Sequence, residues 1–362
     1  MSGYAFTRPR QRAVHIRSCS VVPACLIRSL SRLDAMMTAR IIPRLQWAAL
    51  VVAVVVPFVL SDYLTVFATK VLILSLLALS FDLVWGYAGI LSFGQALFFG
   101  GGGYVAAVLA RDYGVNAAIV ALPAAILAGA LLSAVVAGVV VLGKSATQIF
   151  IALGTMTASY AAYRLAISWY YLGGQNGISS LPLLKTGSYE FDEGPRFYYL
   201  ALALLIVIYA VSRFLVRSQL GLALTGIREN VRRMVFLGYR VNVFKAAVFV
   251  FSGAIAGLAG GLTAFHEGFI GPGSLGTVLS TQAVLYSLLG GSGTLIGAVF
   301  GAVIIETLGF GLSDRLPELW PVLLGIILLL LIIYRPQGLI SLIVSVRERT
   351  GAFGWLRGKP RR

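Results

Sequence analysis

The chain has 362 residues, of which 59% are hydrophobic and 12% are charged, and its mean hydropathy is +0.90. Soluble domains contain about 45–50% apolar and about 25% charged residues, so this composition excludes an ordinary soluble protein, and two cysteines are too few for a disulfide scaffold. The composition indicates a polytopic membrane protein, since each span takes about 20 apolar residues.

The formal net charge of +16 follows membrane topology rather than nucleic-acid binding. Of the 29 lysines and arginines, 22 lie in the segments 1–44, 213–245 and 335–362, between or outside the apolar runs. Excess lysine and arginine in short loops marks the cytoplasmic side of a membrane protein, and these residues attract anionic lipid headgroups. We therefore expect membrane lipids as partners, no nucleic acid, and both termini in the cytoplasm.

The residues before the first apolar run form a separate region. They are rich in arginine, lack the apolar stretch of a secretory signal and hold both cysteines, Cys19 and Cys25. Three interpretations stay open: a disordered arm, an organellar transit peptide, or translation begun upstream of the true start, which a pair of methionines just before the first span favours. The expected domains are a basic N-terminal arm at 1–44, a transmembrane domain at 45–340 and a basic cytoplasmic tail at 341–362.

The apolar runs predict an all-α fold with about ten transmembrane helices. Ten spans place the loop at 172–196 outside, where acidic residues balance the basic ones, and the loop at 215–243 inside. The predicted helices lie near 45–60, 65–84, 93–110, 117–142, 149–171, 197–214, 244–264, 277–290, 294–312 and 319–334.

The glycine-rich stretch 86–104 is the strongest candidate for a substrate path. Seven glycines in nineteen residues weaken a helix, since each costs up to about 1 kcal/mol relative to alanine, and transporters use broken helices to line substrate paths. Asp82, one turn earlier, is the preferred intramembrane polar residue, and capping the freed backbone donors is its alternative role. The candidate path residues are Asp82, Gly86, Gly89, Ser92, Gly94 and Gln95.

Residues 138–145 match the P-loop pattern, but their context argues against a nucleotide site. The pattern binds phosphate when a short strand precedes the loop and a helix follows it, whereas here an Ala/Val/Leu membrane run precedes it. We interpret Lys144 as a cytoplasmic anchor and predict no ATPase site. Because no clustered His, Cys or carboxylate set is visible in the sequence, we also expect no metal and no cofactor.

Residues 219–237 predict an amphipathic helix in the longest cytoplasmic loop. Apolar residues recur on one face at helical spacing, Arg228, Arg232 and Arg233 lie beside them, and Gly238 is a C-terminal stop signal. Such a helix either lies on the membrane surface or docks its apolar face into a groove on a partner protein.

Two sets of glycines with a spacing of four predict close helix packing. This spacing places each set on one helix face, where missing side chains allow two backbones to approach. We interpret both sets as packing surfaces rather than ligand sites. They are Gly253, Gly257 and Gly261, and Gly293, Gly297 and Gly301.

With these features in place, the sequence resembles the LivM-type permease subunit of bacterial branched-chain amino acid ABC importers. The similarity covers about residues 45–340 and is most specific at 221–302. The segments that carry it are GYAGILSFGQALFFGGGGY at 86–104, KSATQIFIALGT at 144–155, GGQNGI at 173–178, GLALTGIRENVRRMVFLGYRVNVFKAAVFVFSGAIAGLAGGL at 221–262, LLGGSGTLIGAVFGA at 288–302 and YRPQGL at 334–339.

The resemblance implies a multi-pass subunit of the bacterial inner membrane that has no ATPase site and translocates branched-chain or other hydrophobic amino acids by alternating access. It implies four kinds of contact: with a second, LivH-like permease subunit, with two cytoplasmic ATPase subunits, with a periplasmic substrate-binding protein and with lipid. The helix near 219–238 would couple the chain to the ATPases. The residues implied in coupling are Arg228, Glu229, Asn230, Arg232, Arg233 and Gly238.

Two departures and two alternatives stay open. Many family members have histidine where this chain has Gln95, so protonation is lost there, and the long N-terminal arm is not typical. Closely similar permeases import urea or short amides, and the segments 236–239 and 313–320 resemble that branch. An ATP-independent carrier or channel would need a coupling-ion site or selectivity ring, whereas the spans carry only scattered charges, at Lys70, Asp82, Arg164, Glu267 and Glu306.

Overall fold

The computed structural model of the chain describes residues 50–143, 147–186, 189–192 and 194–313, together with positions 325, 326 and 338. Helices dominate this part of the chain, so the all-α prediction is confirmed. Nine of the ten predicted helices are observed within a few residues of their expected bounds. The tenth, near 319–334, lies outside the described residues except for two positions, and the arm at 1–44 and the tail at 341–362 lie outside them entirely.

The helices follow the apolar runs, and short turns and strands join them. α2 and α4 each end in one π-helical turn, at Leu83–Tyr87 and Ala137–Val141, and residues 88–94, which we call the broken segment, separate α2 from α3. The helices are α1 (Leu50–Val59), α2 (Asp62–Asp82), α3 (Gln95–Tyr113), α4 (Ala118–Val136), α5 (Gln148–Ser168), α6 (Pro195–Arg217), α7 (Gln219–Glu229), α8 (Val231–Phe236), α9 (Val241–His266), α10 (Thr277–Gly290) and α11 (Ile296–Ser313).

Four of the described helices are long and apolar enough to cross a membrane, judged by length and composition. They are α2 with its π turn, α4 with its π turn, α6 and α9. The chain buries most of α2 and α9, whereas α4 and α6 remain largely exposed. α2 and α9 therefore form the centre of the bundle, and α4 and α6 form its periphery.

α9 packs closely between α3 and α4 because glycines face each other at the contacts. A β-carbon on Gly257 would overlap the carbonyl oxygen of Ala125 and would lie 2.9 Å from Cα of Gly129. A β-carbon on Gly261 would lie 2.7 Å from Cβ of Ala125, and one on Gly253 would overlap the side chain of Ser133. Side chains at these positions would force the helices apart.

The second glycine set differs from its expected arrangement. Gly297 and Gly301 lie on α11, and a β-carbon on Gly301 would overlap the carbonyl oxygen of Tyr286 on α10. Gly293 instead lies in the loop before α11 with φ of 81°, a left-handed conformation that favours glycine. The three residues therefore do not share one helix face.

Short strands that the sequence did not predict close one end of the bundle, which we call the strand end. β1 (Ile178–Ser179) pairs antiparallel with β4 (Phe269–Ile270), and β2 (Leu184–Thr186) pairs antiparallel with β3 (Tyr189–Phe191). Strands of two or three residues are too short to show a period in the sequence. α7, α8 and the start of α9 lie at the other end, which we call the α7 end, because α9 connects the two over 26 residues.

Candidate translocation and coupling site

The broken segment leaves helical geometry, and side chains of other helices pair with parts of its backbone. Gly89 has φ of 67°, a left-handed conformation that residues with a side chain rarely adopt. The backbone nitrogen of Phe93 donates to Thr155 Oγ1 on α5 at 3.0 Å, and that of Ala96 donates to Ser280 Oγ on α10 at 3.0 Å. Hydroxyls of neighbouring helices thus satisfy donors that the helix break frees, as broken backbone within an apolar bundle requires.

Gln95, the first residue of α3, joins three helices through its side-chain amide. Its Nε2 donates to Ser252 Oγ on α9 at 3.2 Å, and its Oε1 accepts from Ser80 Oγ on α2 at 3.2 Å. Ser252 Oγ also donates to the carbonyl oxygen of Ser80 at 2.7 Å. All three residues are fully buried. Both ends of the amide are therefore bonded within the chain, and we call these three residues the polar cluster.

Asp82, also fully buried, binds the loop that joins α10 to α11. Its carboxylate accepts hydrogen bonds from the backbone nitrogens of Gly293 at 2.6 Å and Leu295 at 2.9 Å, and from Ser287 Oγ at 2.9 Å. A buried carboxylate requires such donors. The sequence had suggested that Asp82 caps donors of the adjacent glycine-rich stretch, whereas the observed backbone donors lie more than 200 residues further along the chain.

Arg228, the penultimate residue of α7, contacts the end of α2 and the broken segment. Its Nη1 donates to the carbonyl oxygen of Gly86, and a β-carbon on Gly89 would lie 3.1 Å from its Cγ. A β-carbon on Gly293 would lie 3.3 Å from the same Nη1. The guanidinium therefore joins α7 to the helix break, and Asp82 joins that break to the loop before α11.

A second side chain reaches the broken segment from α5. Gln148 Nε2, at the start of this helix, donates to the carbonyl oxygen of Gly89 at 2.9 Å. Nothing in the local sequence singles out Gln148, because its partner lies 59 residues away. The carbonyl oxygens of Gly86 and Gly89 thus each accept a hydrogen bond from a side chain at the α7 end of the bundle.

The predicted amphipathic helix is two helices rather than one. Asn230 interrupts it with φ of −156° and ψ of 96°, and its Oδ1 accepts from the backbone nitrogen of Arg233 at 3.1 Å. Asparagine favours this N-cap position because its side chain satisfies a free backbone donor. The chain then turns at Gly238, which has φ of 85°.

α7 and α8 bury one face against α9 and expose another. Ile227 and Met234 are buried in a small apolar cluster with Val241. Phe236 is 90% exposed and Leu237 is 71% exposed, and the cationic and acidic residues of α7 and α8 are exposed beside them. Neighbouring exposed apolar residues within a basic surface are typical of an interaction site.

At the strand end, side chains link the outer ends of several helices. Lys70 Nζ lies 3.0 Å from Glu267 Oε1, and this ion pair joins α2 to the end of α9. Asp112, beyond the predicted span 93–110, accepts hydrogen bonds from Arg111 and from Tyr171 in the loop after α5. These two donors lower the pKa of Asp112 to about 2.

Of the predicted coupling residues, the structure brings one, Arg228, into contact with the predicted path residues. All six path residues are buried by the chain itself. Arg228, Glu229, Arg232 and Arg233 are all exposed residues, and among them Arg228 also contacts Gly86 and Gly89. The hydroxyl partners were missed, although each is a serine or threonine within a mostly apolar helix. That signal is ambiguous, because Ser75 in the same kind of run only bonds back to the carbonyl of Val71. The missed partners are Ser80, Thr155, Ser252, Ser280 and Ser287.

Comparison with known proteins identifies relatives of the chain along most of its length. It is 29% identical over 319 residues to the high-affinity branched-chain amino acid transport system permease protein LivM of Salmonella typhimurium. It is 28% identical over 322 residues to LivM of Escherichia coli, and both alignments cover 82% of this chain and 74% of the relative.

A shorter similarity links the chain to another import system. It is 32% identical over 139 residues to the autoinducer 2 import system permease protein LsrC of Photorhabdus laumondii, which covers 36% of this chain and 41% of that protein. No solved structure matches the chain.

The family match includes nearly every element described above. Residues 63–332 match the family described as branched-chain amino acid transport system / permease component. This range contains the broken segment, α7, α8 and both glycine sets, and the LivM-type resemblance is confirmed. The chain therefore belongs to the permease family of branched-chain amino acid transport systems.

Proposed function

We propose that this chain is the membrane-spanning subunit of an ABC importer and that it moves branched-chain or other hydrophobic amino acids by alternating access. Family membership and the similarity to LivM over 82% of the chain support the substrate class. The observation that carries the mechanism is the contact of Arg228 with the carbonyl oxygen of Gly86. Through it, a helix with an exposed surface touches a helix break inside the bundle.

In this mechanism α7 and α8 are the coupling element. ATPases on separate chains bind the exposed surface around Glu229, Asn230, Arg232, Arg233 and Gly238, and their closure on ATP displaces α7. Because Arg228 holds the Gly86 carbonyl, the displacement reaches the end of α2 and the broken segment.

In this mechanism the broken segment is the element that moves when α7 is displaced. Gly86, Gly89, Ser92, Gly94 and Gln95 are buried in the described conformation, so they can face a substrate only after the segment moves. Its irregular backbone is held by single hydrogen bonds from side chains of other helices, and exchanging these bonds requires no regular helix to unfold. We propose that this exchange, with Asp82 retaining the loop before α11, opens the path.

The proposed assembly is that of an ABC importer. The chain acts in the bacterial inner membrane with both termini cytoplasmic, and it has no ATPase site of its own. A second permease subunit completes the path, two ATPases bind at the α7 end, and a periplasmic substrate-binding protein delivers the amino acid at the strand end.

The test is uptake of labelled leucine by cells with and without this chain, with the partner subunits present and excess urea as competitor. We expect uptake that requires the chain, falls when ATP is depleted and ignores urea. Chain-dependent entry of urea without leucine would move the substrate to the urea and amide branch. Leucine uptake that survives ATP depletion would instead indicate a carrier or channel.

A further inference from the structure

α5 exposes a face that mixes polar and apolar residues and includes a charged one, although the helix belongs to the apolar bundle. Its buried residues, Ile151, Thr155, Ser159 and Ala166, lie on one side. At 100° per residue, the opposite side carries exposed residues that recur every three or four positions. They are Phe150, Leu153, Thr157, Tyr160, Ala161, Arg164 and Ser168.

The exposed faces of α4 and α6 are different, because between the ends of these helices they are apolar. Leu127, Leu131, Val135 and Val139 of α4 are 61–70% exposed, and α6 likewise exposes Val207, Val211 and Phe214. Aliphatic faces of this kind match hydrocarbon. A face with a threonine, a tyrosine and an arginine does not, so we expect it to meet water or polar groups rather than lipid chains.

Arg164 is the charged residue on this face. It is exposed, and none of the ion pairs within the described residues includes it; these pairs are Lys70–Glu267, Arg111–Asp112 and Lys185–Glu190. By contrast, Lys70 on α2 has Glu267 as its partner. A guanidinium without a carboxylate partner is costly within a bilayer, and its planar donors fit a carboxylate in two parallel hydrogen bonds.

We propose that the exposed face of α5 lines the substrate path and that Arg164 binds the α-carboxylate of the amino acid in transit. This inference rests on the proposed function and names the group that receives the substrate. Ala161 lies one helical turn from Arg164 on the same face, and its small side chain leaves space for an aliphatic substrate side chain. Arg164 is four residues before the end of α5, which places the site near the strand end.

The first test measures local charge without depending on transport. In a C19S/C25S background, the rate at which A161C reacts with a membrane-impermeant anionic thiol reagent is compared with that for a cationic reagent of similar size. At about 6 Å, a unit charge in a partly hydrated site changes the local concentration of an anion at least about threefold. We expect an anionic preference of that size or more, its loss in R164Q, and its retention in R196Q, which removes an exposed cation at the start of α6.

A lipid-facing control completes the first test. L131C on α4 is 67% exposed and should not react, since a thiol in hydrocarbon is neither ionised nor accessible to a charged reagent. Equal reactivity at 131 and 161, or an anionic preference that survives R164Q, would overturn the proposed path face.

The second test measures leucine uptake at limiting leucine. We expect R164Q to lower uptake roughly tenfold or more, as loss of a charge-assisted pair implies, at unchanged abundance in the membrane. R164K should restore only part of it, because lysine cannot form the two-bond contact, and R196Q should match the unmodified chain.

The outcomes separate the two proposals. If the unmodified chain imports no leucine, the proposed function fails and the ligand assignment fails with it. If it imports leucine and R164Q does so equally, only the role of Arg164 is wrong. A defect of R164Q that occurs in proteoliposomes with anionic lipids, but not in neutral ones, would assign Arg164 to a lipid headgroup and overturn the substrate site.

Discussion

Arg228 acts on a main-chain oxygen, and this defines what a substitution there should do. In R228K the charge stays, but lysine lacks the planar fork that lets one Nη reach Gly86 while the stem covers Gly89. Losing a hydrogen bond to a charged donor is worth about 1.5–3 kcal/mol, so we expect ATP-driven leucine uptake to fall at least roughly tenfold. ATP hydrolysis by the assembled complex should persist.

R217K is the matched control, since Arg217 is an exposed arginine at the end of α6 near the same end of the bundle. Its uptake should equal that of the unmodified chain. Normal uptake by R228K at normal abundance would contradict the coupling role of the contact.

Asp82 should be a stability residue, because it satisfies two backbone donors and one hydroxyl in a fully buried position. In D82N the side chain offers one acceptor oxygen and introduces two donors. At least one buried donor then lacks a partner, at a cost of about 1–3 kcal/mol. We expect a lower unfolding temperature of the purified chain in detergent.

D62N provides the comparison on the same helix, because Asp62 is exposed in the first turn of α2. Its unfolding temperature should change little. An unchanged unfolding temperature in D82N would mean that the loop before α11 does not need its carboxylate anchor.

At the scale of the helices, close glycine contacts should limit which substitutions α9 tolerates. G257A places a methyl group against the backbone of α4, and such overpacking costs about 1–3 kcal/mol. G138A is the control, because a β-carbon there meets nothing within 4 Å. Thermal unfolding should distinguish the two, and equal stability of both variants would contradict the close approach of α9 and α4.

The sequence predicted which segments are helices far better than where their side chains go. Apolar runs marked nine described helices because length and hydropathy alone define a span. The interruption at Asn230 was missed because periodicity continues across it, and Gly293 was misplaced because spacing cannot reveal φ. The contact of Arg228 with Gly86 spans 142 residues, and nothing local encodes it.

For the whole molecule, the charge distribution predicts that the strand end faces the periplasm and the α7 end faces the cytoplasm. Y170C and F236C test this in a C19S/C25S background, since Tyr170 is 94% exposed and Phe236 is 90% exposed. An impermeant thiol reagent should label position 170 in intact cells, and position 236 only after the membrane is permeabilised. The reverse pattern would invert the topology.

The contact between Arg228 and Gly86 limits how this chain can compensate for a mutation at position 228. Arg228 recognises a carbonyl oxygen that every amino acid possesses, so the chemistry of residue 86 cannot tune the contact. Residue 86 also cannot gain a side chain, since a β-carbon there would lie 2.6 Å from both Asp82 Oδ1 and Cα of Gly293. A substitution at position 86 therefore cannot compensate for a change at position 228. We expect second-site revertants in α7 or in the helices around the break.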